Sequence, residues 1–204
     1  MEFRSRSIAA VVGESDKHHF LAGTLSLKGN NNQIHLLEYV ESTNLIECNA
    51  IWNHSSEIWS LSCCPSSMNK DYFFTVWKKE QGSTGATLWS LEQGASVKLK
   101  HLLTLDMPAS RVVWDPAGLS DHILVLGETG PYALSIVNMD TGCKSHKVSG
   151  KIPLDNVQRV AGGAWDPNHP NSAVLAADTS LVQCDLRAKQ HTGVSEHAHA
   201  GCVC

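Results

Sequence analysis

Short apolar runs of four to eight residues, rich in Val, Ile, Leu, Phe and Tyr, recur along the chain, and Gly, Asn, Asp, Ser and Pro separate them. One set reads "DYFFTVW" from Asp71, "HILVLGE" from His122 and "SAVLAAD" from Ser172. After a further turn comes a second set: "ATLWSLE" from Ala86, "YALSIVN" from Tyr132 and "LVQCDLR" from Leu181. A less regular copy precedes them, "HFLAGT" from His19 and "NQIHLLEYV" from Asn32, divided by the turn formers Gly29 to Asn32. Val97–Leu105 and Cys143–Gly150 fit additional strands. No long stretch places apolar residues at i, i+3, i+4 and i+7, so the pattern predicts an all-β chain with little helix.

The runs belong to a repeat. Pro65, Pro116 and Pro167 stand 51 residues apart and close the segments "SLSCCP", "RVVWDP" and "GGAWDP". Trp114 and Trp165 share one place in it, which Cys63 fills in the first copy; Asp115 and Asp166 share the next, filled there by Cys64. Three or four strands per unit, repeating every 40–50 residues, mark the blades of a β-propeller, whose sheet faces are hidden by packing blade on blade. The expected division is a partial propeller over residues 1–204, with blades at about 1–48, 49–105, 106–152 and 153–196 and a further blade beginning at 197–204. The competing architecture is a β-sandwich with accidental proline spacing.

The last nine residues, "EHAHAGCVC", fit that division. In blades of the WD type a histidine lies in the loop entering the first strand. His54 stands in that place ahead of Pro65, and His199 is expected to open a further blade with Cys202 and Cys204 on one strand face. The rival is a zinc site of His197, His199, Cys202 and Cys204. The ligand types suit zinc, but the single-residue spacings within each pair are poor for it. No metal or cofactor is expected.

Composition removes other classes. A net charge of −4 without a Lys/Arg run argues against phosphate-backbone binding, so no nucleic acid is expected. The apolar stretch Ile8–Val12 is too short for a secretory signal core, no segment has the length of a membrane helix, and the seven cysteines form no regular disulfide framework. Membrane association is therefore expected only through a partner. The eleven histidines are scattered, and no nucleophile elbow, phosphate loop or His-Glu-x-x-His is present, so no enzymatic activity and no catalytic residue are expected. Cys63 and Cys64 point to opposite faces of a strand and suit packing better than a redox pair. Of the six tryptophans, Trp114 and Trp165 read as core; Trp52, Trp59 or Trp77 would suit a partner-binding position, and the sequence does not choose among them.

Longer matches then become specific. "GTLSLKGNNNQIHLLEY" (Gly23 to Tyr39), "SSEIWSLSCCP" (Ser55 to Pro65), "RVVWDP", "DTSLVQCDLR" and "EHAHAGCV" follow one another in the order found in the EARP- and GARP-complex-interacting WD-repeat protein family, which the chain resembles along nearly its whole length. The resemblance implies a WD-repeat adaptor that engages the EARP and GARP tethering complexes. It implies a cytoplasmic protein, peripheral at endosomes and the trans-Golgi network, that supports endosomal recycling and retrograde vesicle traffic. It also implies about four of seven blades. The alternatives are a scaffold in another pathway, such as a ubiquitin-ligase substrate receptor, for which Asp185–Arg187 resembles a docking motif, or a truncated fragment without function. The chain departs from the WD signature where a blade's third strand ends: Trp89–Ser90, Ser135–Ile136 and Cys184–Asp185 stand where Trp-Asp is typical. Uncovered faces on the terminal blades predict aggregation or pairing with another chain.

Overall fold

The apolar runs pair into four antiparallel sheets, each of four strands taken in chain order. The computed structural model describes residues 4–26, 31–78, 82–117, 122–127, 129, 133–140, 142–154 and 157–201. Sheet 1 contains β1 (Ser5–Ala10), β2 (His18–Thr24), β3 (Asn32–Val40) and β4 (Leu45–His54). Sheet 2 contains β5 (Glu57–Cys63), β6 (Tyr72–Lys78), β7 (Thr84–Glu92) and β8 (Lys98–Leu105). Sheet 3 contains β9 (Arg111–Trp114), β10 (His122–Leu126), β11 (Leu134–Met139) and β12 (His146–Ile152). Sheet 4 contains β13 (Val160–Trp165), β14 (Ser172–Ala177), β15 (Ser180–Asp185) and β16 (Gln190–Ser195). The helical content of the described residues is one 3-10 turn, Ser67–Asn69.

The repeated prolines each follow the first strand of a sheet: Pro65 after β5, Pro116 after β9 and Pro167 after β13. Proline has no N–H for a ladder, so it ends the strand. The preceding aspartate then shapes the turn: Asp115 accepts from Ala117 N at 2.9 Å and Asp166 from Asn168 N at 2.8 Å. In the first copy the Cys64 sulfur takes a weaker bond from the Ser66 backbone, and the 3-10 turn follows.

The chain divides into two units, Met1–Pro108 and Ala109–Cys204. In the first, Ala9, Leu21, Ile34, Leu36, Ala50 and Trp52 of sheet 1 pack on Ile58, Leu61, Cys63, Phe73 and Leu91 of sheet 2. Gly13 lets the β1–β2 turn close on sheet 2: a Cβ there would stand 2.8 Å from both Lys70 Cβ and Ser66 O. Beside it, Lys70 Nζ reaches Glu14 Oε2 at 2.8 Å, and that bond holds the Glu14 carboxyl below its usual pKa. In the second unit, Leu124, Leu126, Leu134 and Ile136 of sheet 3 pack on Trp165, Ala173, Leu175, Val182 and Cys184 of sheet 4.

Two expectations need correction. The division at 48/49 falls inside β4, whose ladder with β3 runs on to the Asn32–His54 pair, so sheet 1 ends at His54. The residues of sheet 3 equivalent to Trp89 and Cys184 are not Ser135–Ile136. Cross-strand pairing decides this. Cys63 lies opposite Phe73 and Phe73 opposite Trp89. Trp165 lies opposite Ala173 and Ala173 opposite Cys184. The same row in sheet 3 runs Trp114, Ile123, Val137, two residues further along than letter alignment suggests.

Candidate interaction surface

The six tryptophans occupy different environments. Trp114 and Trp165 are buried, and Trp165 Nε1 donates to Val113 O at 3.2 Å. Trp52 packs on the unit 1 core and donates to Val97 O at 3.3 Å. Trp77 donates to Thr87 Oγ1 at 2.9 Å, and Trp89 to Thr75 Oγ1 at 2.9 Å. All of these rings brace the sheets. Trp59 is half-buried, and its Nε1 is held by Glu57 Oε2 at 3.3 Å. Its ring carries two cations: Arg6 Cζ lies 3.8 Å and Lys78 Nζ 4.7 Å from the centroid.

Bulges build this cluster. In β1, Ser5 pairs with Thr24 and Ser7 with Gly23, leaving Arg6 as the extra residue. In β5, Ile58 pairs with Trp77 and Ser60 with Val76, leaving Trp59 extra. A bulge bends its strand and re-aims the unpaired side chain. Here two bulges on the first strands of neighbouring sheets turn a guanidinium and an indole onto each other. Lys78 joins from the end of β6, where it lies opposite Glu57. No ion pair links Arg6 or Lys78 to a carboxylate among the described residues.

Unit 2 repeats the bulge with other chemistry. Val160 pairs with Ala177 and Gly162 with Ala176, so Ala161 is the extra residue. Arg111 Nε donates to its carbonyl at 2.8 Å. Sequence reasoning placed Trp59 among three candidates and passed over Arg6 and Lys78. One signal was available: counted back from the aligned Cys63, Trp114 and Trp165, Trp59 shares its place with the small Ser110 and Ala161, so its ring serves no repeated packing need.

His54 and His199 behave as a pair. His54 Nδ1 lies 2.8 Å from Ser56 O and 3.2 Å from Ser56 N; His199 Nδ1 lies at the same distances from Gly201 O and N. His54 Nε2 reaches Thr75 Oγ1 at 3.3 Å inside the protein, whereas His199 is exposed. Cys202 and Cys204, the other ligands of the zinc alternative, lie outside the described residues. Among those residues no three His, Cys, Asp or Glu side chains are grouped to hold a metal ion.

The buried cysteines are packing groups. Burial, with Cys64 beside it, pushes the Cys63 thiol up to about 12, and burial pushes Cys184 up to about 11, so both stay protonated and unreactive near neutral pH. Asp185 ties down its turn, accepting from Arg187 N at 2.9 Å and Ala188 N at 2.8 Å.

Two sheet faces carry exposed apolar side chains. On sheet 1, Ile8 is 67 % exposed, Ile46 70 % and Ile51 53 %; on sheet 4, Val174 and Leu181 are exposed. No helix among the described residues is long and apolar enough to cross a membrane.

The EIPR1 beta-propeller family profile matches residues 1–203. The WD repeat-containing protein DWA2 of Arabidopsis thaliana is 30% identical over 206 residues, an alignment that takes in 98% of this chain and 57% of that protein. The human EARP and GARP complex-interacting protein 1 is 28% identical over 228 residues, spanning 100% of this chain and 57% of the relative. The EARP-interacting protein homolog of Dictyostelium discoideum is 23% identical, over 97% of this chain and 53% of its own length. The chain thus spans little more than half of the curated relatives it matches.

Proposed function

Because the chain belongs to the EIPR1 beta-propeller family, a family of WD-repeat adaptors, we propose that it acts as a non-enzymatic adaptor binding the EARP and GARP tethering complexes. In this role it supports endosomal recycling and retrograde vesicle traffic. It works in the cytoplasm and reaches endosomal and trans-Golgi membranes through those complexes. One observation carries the reading: relatives named for interaction with EARP and GARP align over the whole of this chain. The geometry is in keeping with it. The described polar clusters are turn caps, sheet braces and a rim of exposed charge, which suit a binding platform. The division into four blades with residues 197–204 opening a further one belongs to the same proposal, supported by His199 repeating the ring geometry of His54.

Affinity purification of the tagged chain from cells tests this. Subunits of EARP and GARP are expected in the eluate. Recovery of cullin-adaptor subunits instead would replace the reading with a ubiquitin-ligase substrate receptor. Recovery of neither would mark the chain as lacking the binding function.

A further inference from the structure

The geometry points to Arg6, Trp59 and Lys78 as a docking point for an acidic peptide segment of a protein partner. Two like charges gathered over one half-buried indole repel each other, and a cation–π contact fixes a cation without neutralising it. The nearby carboxylate, Glu57, is directed at the indole N–H and steadies the ring. The exposed Arg4 stands two residues before Arg6 and adds to the same sign. The result is a pre-positioned cationic pair around a half-buried indole on a chain whose net charge is −4. A guanidinium and an ammonium held in this way suit carboxylates, and the indole edge offers apolar contact to the aliphatic part of a Glu side chain.

An arginine that reaches the unit 2 bulge supplies the contrast. Arg111 is committed to the Ala161 carbonyl, and no aromatic ring stands at that bulge. The three residues that make the acidic docking point therefore belong to unit 1 alone. The inference rests on the adaptor reading only in taking the partner to be a protein.

The test is calorimetric titration of the chain with N-acetylated hexaglutamate at low salt, alongside flotation with phosphatidylserine vesicles. Wild type is expected to bind the peptide, and Arg6→Gln with Lys78→Gln to weaken binding about tenfold, the scale of two exposed ion pairs. Trp59→Leu weakens it as well, while Arg111→Gln leaves it unchanged. Raising the salt weakens the wild type and has less effect on the double variant. Both glutamine substitutions lie at exposed or half-exposed positions, and an unchanged melting curve verifies their folding. Peptide binding that is equal in wild type and double variant overturns the proposal, as does binding to vesicles but not to peptide. If tether subunits co-purify but hexaglutamate does not bind, the docking point fails and the adaptor reading stands. If the peptide binds through Arg6 and Lys78 but no tether subunit is recovered, the reverse holds.

Discussion

Sheets 2 and 4 fill equivalent rows with opposite arrangements. In sheet 2 the row from the first to the third strand is Cys63, Phe73, Trp89; in sheet 4 it is Trp165, Ala173, Cys184. The large ring moves from the third strand to the first, and the small thiol moves the other way. Its N–H moves with it. In sheet 2 the indole of Trp89 donates to Thr75 Oγ1. That hydroxyl turns its own proton to His54 Nε2, which leaves Nδ1–H to donate to Ser56 O. In sheet 4 Trp165 donates to the backbone of sheet 3, and the place of Thr75 is taken by the fully buried Leu175. Gly163 is the counterpart of Leu61, and a Cβ there would stand 2.6 Å from Leu175 Cδ2. The large ring and the thiol exchange ends, the middle residue shrinks from Phe73 to Ala173, and the site of polar bonding shifts. A tryptophan at the end of a blade's third strand is thus one of two placements for the large ring of this row.

The largest expected effect comes from emptying the sheet 4 row. Trp165→Ala leaves Ala173 and Cys184 on its flank, neither able to occupy the vacated volume. The expected cost is about 3–5 kcal/mol, that of a buried aromatic deleted from a core. Chemical denaturation gives its size, and amide exchange locates the loss in residues 160–195 rather than 57–105. Cys63→Ala, at the equivalent position of sheet 2, is expected to cost far less. Equal costs would mean that the first-strand ring is not what fills this end of the sheet 4 row.

A smaller effect separates the rows by polarity. Thr75→Val keeps the shape and removes the hydroxyl, so Trp89 Nε1 and His54 Nε2 lose their partner. Leaving buried polar groups unpaired in this way costs about 1–3 kcal/mol. Trp89→Phe removes the same bond from the other side, so a double-mutant cycle between them is expected to be non-additive. Additive values would dissolve the network into independent contacts.

Much of this frame was legible in the sequence. The prolines locate the end of each repeated first strand because proline must leave the ladder there, and Trp114 and Trp165 sit in the core as their shared place implies. The strands β1, β4 and β16 escaped the apolar pattern because they lie at sheet edges, where most side chains meet solvent. The row of sheet 3 was misjudged by two residues because only cross-strand pairing fixes register. The Arg6–Trp59–Lys78 cluster was illegible for a related reason. Its members come from three strands, and two of them are aimed by bulges that no local pattern announces.

The finest distinction between the two sheets is their response to acid. Burial holds the His54 imidazole below its usual pKa of 6.5, and the bond to Ser56 offsets only part of that. The unfolded chain takes up a proton near 6.5 and the folded chain resists it, so from 6.5 downwards the unfolded state binds more protons and stability falls as pH falls. Protonating Nε2 would also deprive the Thr75 hydroxyl of its acceptor. His35, buried between Gln33 Oε1 and Cys48 Sγ, is depressed by burial too and adds loss of the same sign in sheet 1. In sheet 4 Asp166 is held below its usual 3.8, chiefly by the Asn168 N–H, so its contribution disappears only in much stronger acid. Residues 57–105 are therefore expected to lose protection as the pH falls below 6.5 in amide exchange corrected for intrinsic rates, while residues 160–195 keep theirs. His54→Gln retains a partner for Thr75 but cannot charge, and is expected to flatten that slope. A slope as steep in His54→Gln as in wild type would place the acid sensitivity outside the braced sheet.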